Sequence, residues 1–148
     1  MISLSVALAL VVLTPPPVPT PPDVGIAAAR HLLARRGASA LPLCIVVDGG
    51  DPPPGLMQLP HDPGLTLLPG GACRYEIDEN HRDRALGTDG RPVEFLTLGP
   101  YKRKDSEHAD VDYEFRAGSW TGHGSTLHLE LRNGAWYVLP SEHYEWQE

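Results

Sequence analysis

Thr126-Leu127-His128-Leu129-Glu130-Leu131-Arg132-Asn133-Gly134-Ala135-Trp136-Tyr137-Val138-Leu139 is the stretch on which the fold turns. Its first six residues alternate polar and apolar side chains, the period of a strand with one buried face. Asn133-Gly134 follows, and this pair favours a tight hairpin because both residues accept positive φ. The chain then returns through Ala135 to Leu139, rich in aromatic and β-branched residues. Two neighbouring strands with this much apolar surface need further strands and a covering layer.

Upstream, Ala109 to Arg116 alternates in the same way. Val111, Tyr113 and Phe115 fall on the inner side, and Asp110, Asp112, Glu114 and Arg116 on the outer. Pro92 to Leu98 begins a longer strand that Lys102-Arg103-Lys104 extends, with Asp105 to His108 as the turn. Gly118, Gly122 and Gly124 mark a loop holding Trp120 and His123. Asp78 to Arg91, with its carboxylates and arginines and no apolar period, reads as an exposed loop. Cys73 to Ile77 and Leu41 to Val47 are strand candidates, and Leu56–Leu59 and Leu65–Leu68 are short apolar pieces. Val24 to Arg36 is Ala- and Leu-rich, with Asp23 placed to cap a helix and Gly37 to end it. These elements predict an α+β fold: one N-terminal helix packed on a curved antiparallel β-sheet meander of about four to five strands.

Residues 1 to 22 contain no charged side chain, and residues 2 to 13 form an almost unbroken apolar run. As a helix that run spans roughly 18 Å, short of the ~30 Å hydrocarbon core of a bilayer. Its length matches the apolar segment of a secretory signal, although no Lys or Arg precedes it and no Ala-x-Ala site follows. Pro15 to Pro22, PPPVPTPP, reads as an extended spacer. The expected organisation is therefore a signal or N-terminal anchor over 1–14, a Pro-rich spacer over 15–22 and a single domain over 23–148. The chain's formal charge of −7 argues against a nucleic-acid partner, which selects basic footprints. Cys44 and Cys73 are the two cysteines. In an exported protein they would pair as a disulfide; the competing reading is two buried thiols in the cytoplasm.

The closing pattern LHLELRNGAWYVLPSEHYEW, set behind a helix and a meander, resembles that of the cystatin-like and nuclear-transport-factor-like α+β rolls. The resemblance implies a curved sheet wrapped on a helix. It implies no activity, since the group holds enzymes, inhibitors and plain binding modules, and none of its catalytic positions maps onto these residues.

Residue chemistry points more to binding than to catalysis. His108, His123 and His128, with Asp105, Glu107, Asp110 and Asp112, form a conceivable zinc set, but HExxH and same-strand HxH spacings are missing. Solvated histidines are the plainer reading, and the sequence implies no metal and no cofactor. Tyr113, with Asp112 or His123, could serve acid–base chemistry, yet an inward aromatic at strand spacing is usually core. Ser119, Ser125 and Ser141 lack a nucleophile elbow. Arg30, Arg35 and Arg36 could hold an anion, though a solvated face that complements the helix dipole also explains them. Trp120 and His123, with Tyr144 and Trp146 among Glu142, Glu145 and Glu148, form the candidate binding set, because aromatics beside charge are contact anchors. The expected protein is an exported binding or inhibitory module, an immunity-type protein being one version, with a protein partner in the cell envelope and no stable membrane span. The alternative is a small enzyme with a pocket between helix and sheet.

Overall fold

The computed structural model describes residues 21–36, 40–118 and 121–140. Trp120, Tyr144 and Trp146, the proposed signal segment and most of the Pro-rich spacer lie outside the described residues. Helix α1 spans Pro21–Arg36, and strand β1, Leu43–Val47, follows it. A short helix α2, Pro54–Met57, then leads to β2, Leu67–Pro69, and a 3₁₀ turn, Gly70–Ala72. The rest of the described chain is sheet: β3 Cys73–Ile77, β4 Asp83–Gly87, β5 Glu94–Arg103, β6 His108–Gly118, β7 Thr121–Arg132 and β8 Ala135–Val138. The result is a mixed, sheet-rich fold with one main helix.

The meander exists, but it is only half of the sheet. Strands β5, β6, β7 and β8 are antiparallel neighbours in sequence order. Asn133 (φ 50°) and Gly134 (φ 77°) make the two-residue turn between β7 and β8. Strand β1, however, lies parallel to both β5 and β2, which corrects the expectation of a purely antiparallel sheet. Its sequence, LCIVV, has no alternation because both of its faces are covered. Leu43 and Ile45 join the core beneath α1, while Cys44 joins a second cluster on the opposite face with Ala85, Val93 and Phe95.

That second cluster exists because the sheet curls. The β3–β4 hairpin is antiparallel and meets β6 through the Arg84–Gly118 bridge. Tyr75 on β3 stacks on Phe95 of β5 with ring centroids 4.4 Å apart. A Cys44–Cys73 disulfide fastens the start of β3 to the buried side of β1. The strand count of about four to five is thus corrected to eight among the described residues. Part of the difference is β4, which lies inside the polar stretch read as a loop. It carries its place through backbone ladder bonds and Ala85–Leu86, so charged Asp83 and Arg84 at its start mask the strand.

Helix α1 begins three residues earlier than expected, at Pro21, so Asp23 is in the first turn rather than at the cap position. Proline is acceptable there because first-turn N–H groups have no intrahelical partner. The helix crosses the meander and buries Val24, Ala28, Ala29, Leu32 and Leu33 against Leu96, Leu98, Val111, Phe115, Leu127 and Leu129. On the other face of β6 and β7, Asp110 takes His128 at 2.7 Å and Lys104 at 3.1 Å, and Lys102 pairs with Asp112 at 3.6 Å. Burial alone would raise the Asp110 pKa, but the bonds from His128 and Lys104 outweigh it and hold the carboxyl below its ordinary value.

Two glycines explain local departures from regular sheet. Gly99, at φ +113°, sits where the β5–β6 register shifts, and a Cβ there would lie 2.7 Å from the Asp48 carboxylate. The inserted residue keeps Tyr101 on the same side as Leu98, facing the helix. Gly124 is in β7, not in a loop as its spacing with Gly118 and Gly122 suggested. A Cβ on Gly124 would stand 2.7 Å from the Tyr113 carbonyl oxygen, so the glycine permits close approach of β6 and β7.

Candidate functional site

The core cluster beneath α1 gives way to open space at the helix's C-terminal end. There a cleft of about 510 Å³ opens between the helix's last turns and the inner face of β6, β7 and β8. The helix contributes residues at i, i+4 spacing, His31 with Arg35 and Leu32 with Arg36, which stack as rungs on one face. Tyr113 and Phe115 come from β6, His123, Ser125 and Leu127 from β7, and Val138 to Pro140 from the end of β8 and the residues after it. Inward residues on a strand recur every second position, so Tyr113 and Phe115, and His123, Ser125 and Leu127, form parallel rows.

The wall is assembled by stacking. His123 lies on the Phe115 ring with centroids 5.2 Å apart, and the Arg36 guanidinium carbon is 5.5 Å from the same ring centre. Arg36 also forms an ion pair with Glu94 on β5. Partial burial, followed by the nearby Arg35 charge, lowers the His31 pKa. Among the described residues lining the cleft there is no aspartate or glutamate. Its surface therefore combines apolar floor with cationic or titratable edge, and its volume falls in the range of small-molecule sites.

Of the expected binding set, His123 is in this cleft, and Trp120, Tyr144 and Trp146 lie outside the described residues. Tyr113 joins His123 there, whereas Asp112 points to the opposite face and accepts a hydrogen bond from Thr126. Ser125 and His123 make no hydrogen bond to each other among the described residues. The other histidines separate: His108 pairs with Asp105, His128 with Asp110, and His61 bonds the Leu59 carbonyl. Among the described residues no three His, Cys, Asp or Glu side chains gather as a metal site. Sequence reading undervalued His31, Arg35 and Arg36. Their helical spacing was visible, but the strand surface opposite them was not.

A smaller cavity of about 250 Å³ lies at the other end of α1, between Gly25, Asp48, Asp51 and Tyr101. The Tyr101 hydroxyl is buried there without a hydrogen-bond partner among the described residues. Burial first, and the Asp48 charge second, push its pKa up to about 12. The folded protein thus favours neutral Tyr101 more than the unfolded chain does. That contribution to stability is whole below about pH 10, the unfolded value, and is lost as pH rises through about 12. Tyr101→Phe removes an unsatisfied hydroxyl, so at neutral pH it should leave stability unchanged or raise it by up to about 1 kcal/mol. It should also flatten the alkaline fall. Urea unfolding across this pH window checks both, and a neutral-pH loss above about 1 kcal/mol would show that the hydroxyl has a partner.

Comparison with known proteins adds no relative: no family model, curated protein or solved structure matches this chain. Among the described residues, no helix is long and apolar enough to cross a membrane.

Proposed function

We propose that this chain is an exported, disulfide-stapled binding module whose ligand enters the cleft between α1 and β6–β8. The cleft carries the reading: it is the one place where His123, singled out from sequence, shares an open, partly apolar surface with helix side chains. A binding role fits better than catalysis because the lining offers recognition groups, and among the described residues Ser125 and His123 make no hydrogen bond to each other. Export is supported by the Cys44–Cys73 disulfide, which suits an oxidising compartment, and by the apolar run at residues 2 to 13. An inhibitory role toward an envelope protein remains within this reading, with the cleft as the contact.

The test is a titration of the isotope-labelled full chain with a panel of small molecules of mixed charge and shape, read residue by residue by NMR. Hits that compete with one another and move the signals of Tyr113, Leu127 and Val138 place the ligand in the cleft. Hits scattered over other surfaces, or none, sink the proposal. Cell fractionation followed by intact mass before and after reduction tests export: an oxidised chain in the envelope is expected, and a reduced cytoplasmic chain is the contrary result.

A further inference from the structure

We propose that the ligand of this cleft is a small organic anion, its carboxylate or phosphate held at the rim by Arg35 and His31 and its apolar part resting on Leu32, Phe115 and Leu127. This inference rests on the cleft being the ligand site and adds the ligand's chemical class.

The charges in the cleft divide unequally. Arg36 is committed: its guanidinium pairs with Glu94 and lies over Phe115. Arg35, one residue before it, lines the cleft and has no ion-pair partner among the described residues. It faces His31, one turn earlier, and its positive charge helps to keep that imidazole from taking up a proton. Two groups that repel one another as cations, with no carboxylate among the described lining residues, become mutually favourable once an anion lies between them. The guanidinium fork also matches the paired oxygens of carboxylate or phosphate.

The helix end itself offers no anion site, because the last carbonyls of α1 carry the negative end of its dipole. An anion must be held by side chains that reach past that end, and Arg35 is long enough to do so. A bare inorganic ion would leave the remainder of the cleft unused. Leu32, Phe115 and Leu127 are buried residues whose edges floor it, and Val138, Leu139 and Pro140 continue that surface. Charge at the rim and apolar surface below call for a ligand with both parts.

Proton linkage gives a second signature. Among the described residues, the titratable and charged groups facing the bound anion are His31, Arg35 and Arg36 from α1 and His123 from β7, while Tyr113 faces it from β6 and no charged group lines the cleft from β8. An anion beside Arg35 raises the lowered pKa of His31, so binding takes up a proton and strengthens as pH falls through the imidazole range.

The experiment uses the isotope-labelled full chain and four probes of similar shape: benzoate, phenyl phosphate, benzyl alcohol and benzylamine. Inorganic phosphate is a fifth, without the apolar part. Titrations run at about pH 5.5 and about pH 8, either side of the imidazole range. Both organic anions are expected to move the signals of His31, His123 and Leu127, and to bind several-fold more tightly at the lower pH. Arg35→Gln, at an exposed position, should weaken them by about ten- to hundredfold, the usual scale for a charged hydrogen bond, with unchanged melting. The stronger of benzoate and phenyl phosphate identifies the natural head group as carboxylate or phosphate. Benzylamine or benzyl alcohol binding as tightly as the anions overturns the anion inference while leaving the cleft as a site. Inorganic phosphate binding as tightly as phenyl phosphate overturns the organic part, and unchanged affinity in Arg35→Gln overturns the role of Arg35. If all five probes leave the cleft signals unmoved, the binding reading falls with it.

Discussion

Reducing the Cys44–Cys73 disulfide is expected to lower the stability of the whole domain by roughly 3–4 kcal/mol, the chain-entropy value for a loop of about this length. The two residues are 29 apart in sequence, with Cα atoms separated by 6.4 Å. Between the end of β1 and Cys73 run α2, β2, the 3₁₀ turn and their connections, a segment with few buried residues: Pro52, Leu56, Leu59 and Leu65. Without the bond, the unfolded chain regains the freedom of that loop and the folded chain keeps only weak noncovalent hold on the β3–β4 hairpin. Tyr75, Ile77 and the rest of β3 after Cys73 are largely exposed, so the hairpin would be held to the domain mainly through the Tyr75–Phe95 stack, buried Ala85 and Leu86 of β4 and the Arg84–Gly118 bridge. Domains of this size are stable by only about 5–15 kcal/mol, so the effect is a large fraction.

Urea unfolding of the native chain with and without reductant measures it without changing side-chain volume, and the Cys44→Ala, Cys73→Ala double variant provides the permanent form. Hydrogen exchange should quicken first in β3 and β4. A loss under about 1 kcal/mol would mean that the hairpin is held by its own packing and that the bond is incidental.

Leu33→Ala is expected to cost about 2–5 kcal/mol, the range for truncating a buried leucine whose surroundings cannot collapse. Leu33 is 1% exposed and sits in the middle of the helix face that meets the sheet. Its neighbours on that face, Ala28 and Ala29, are fully buried and small, so the helix backbone lies close to the strands. They cannot expand into the void, and Leu96 and Leu98 belong to strands fixed by their ladders. Ala34→Ser, at an exposed position of the same helix, is the control and should change stability by no more than about 0.5 kcal/mol. Thermal or urea unfolding of both variants decides the matter. Equal, small losses would show that α1 does not dock on the meander, and with it the cleft at its far end would lose its second wall.

Local chemistry made much of this fold legible. The alternation over Ala109–Arg116 and Thr126–Leu131 placed inner and outer faces as they stand, because a strand's side chains change face at every residue whatever lies beyond it. Asn133-Gly134 fixed its turn through the φ values those two residues tolerate. Val24–Arg36 announced a helix through residues that lose little rotamer freedom in one. Cys44 and Cys73 suggested a staple, and the disulfide joins them.

Tertiary structure decided the rest. The unbroken apolar run of β1 allowed burial on both sides but not the identity of its neighbours, since parallel pairing with β2 and β5 joins backbone groups far apart in the chain. Strand β4 is held by ladder bonds that any residue can make, so its polar start concealed it. Gly122 and Gly124 resembled loop residues because sequence does not disclose that another backbone passes within contact distance. His123 stood out alone, while His31 and Arg35 looked like one more solvated helix face. They became a site only when β7, some ninety residues later, was laid opposite them, because a cleft is a property of two surfaces and the sequence carries each one separately.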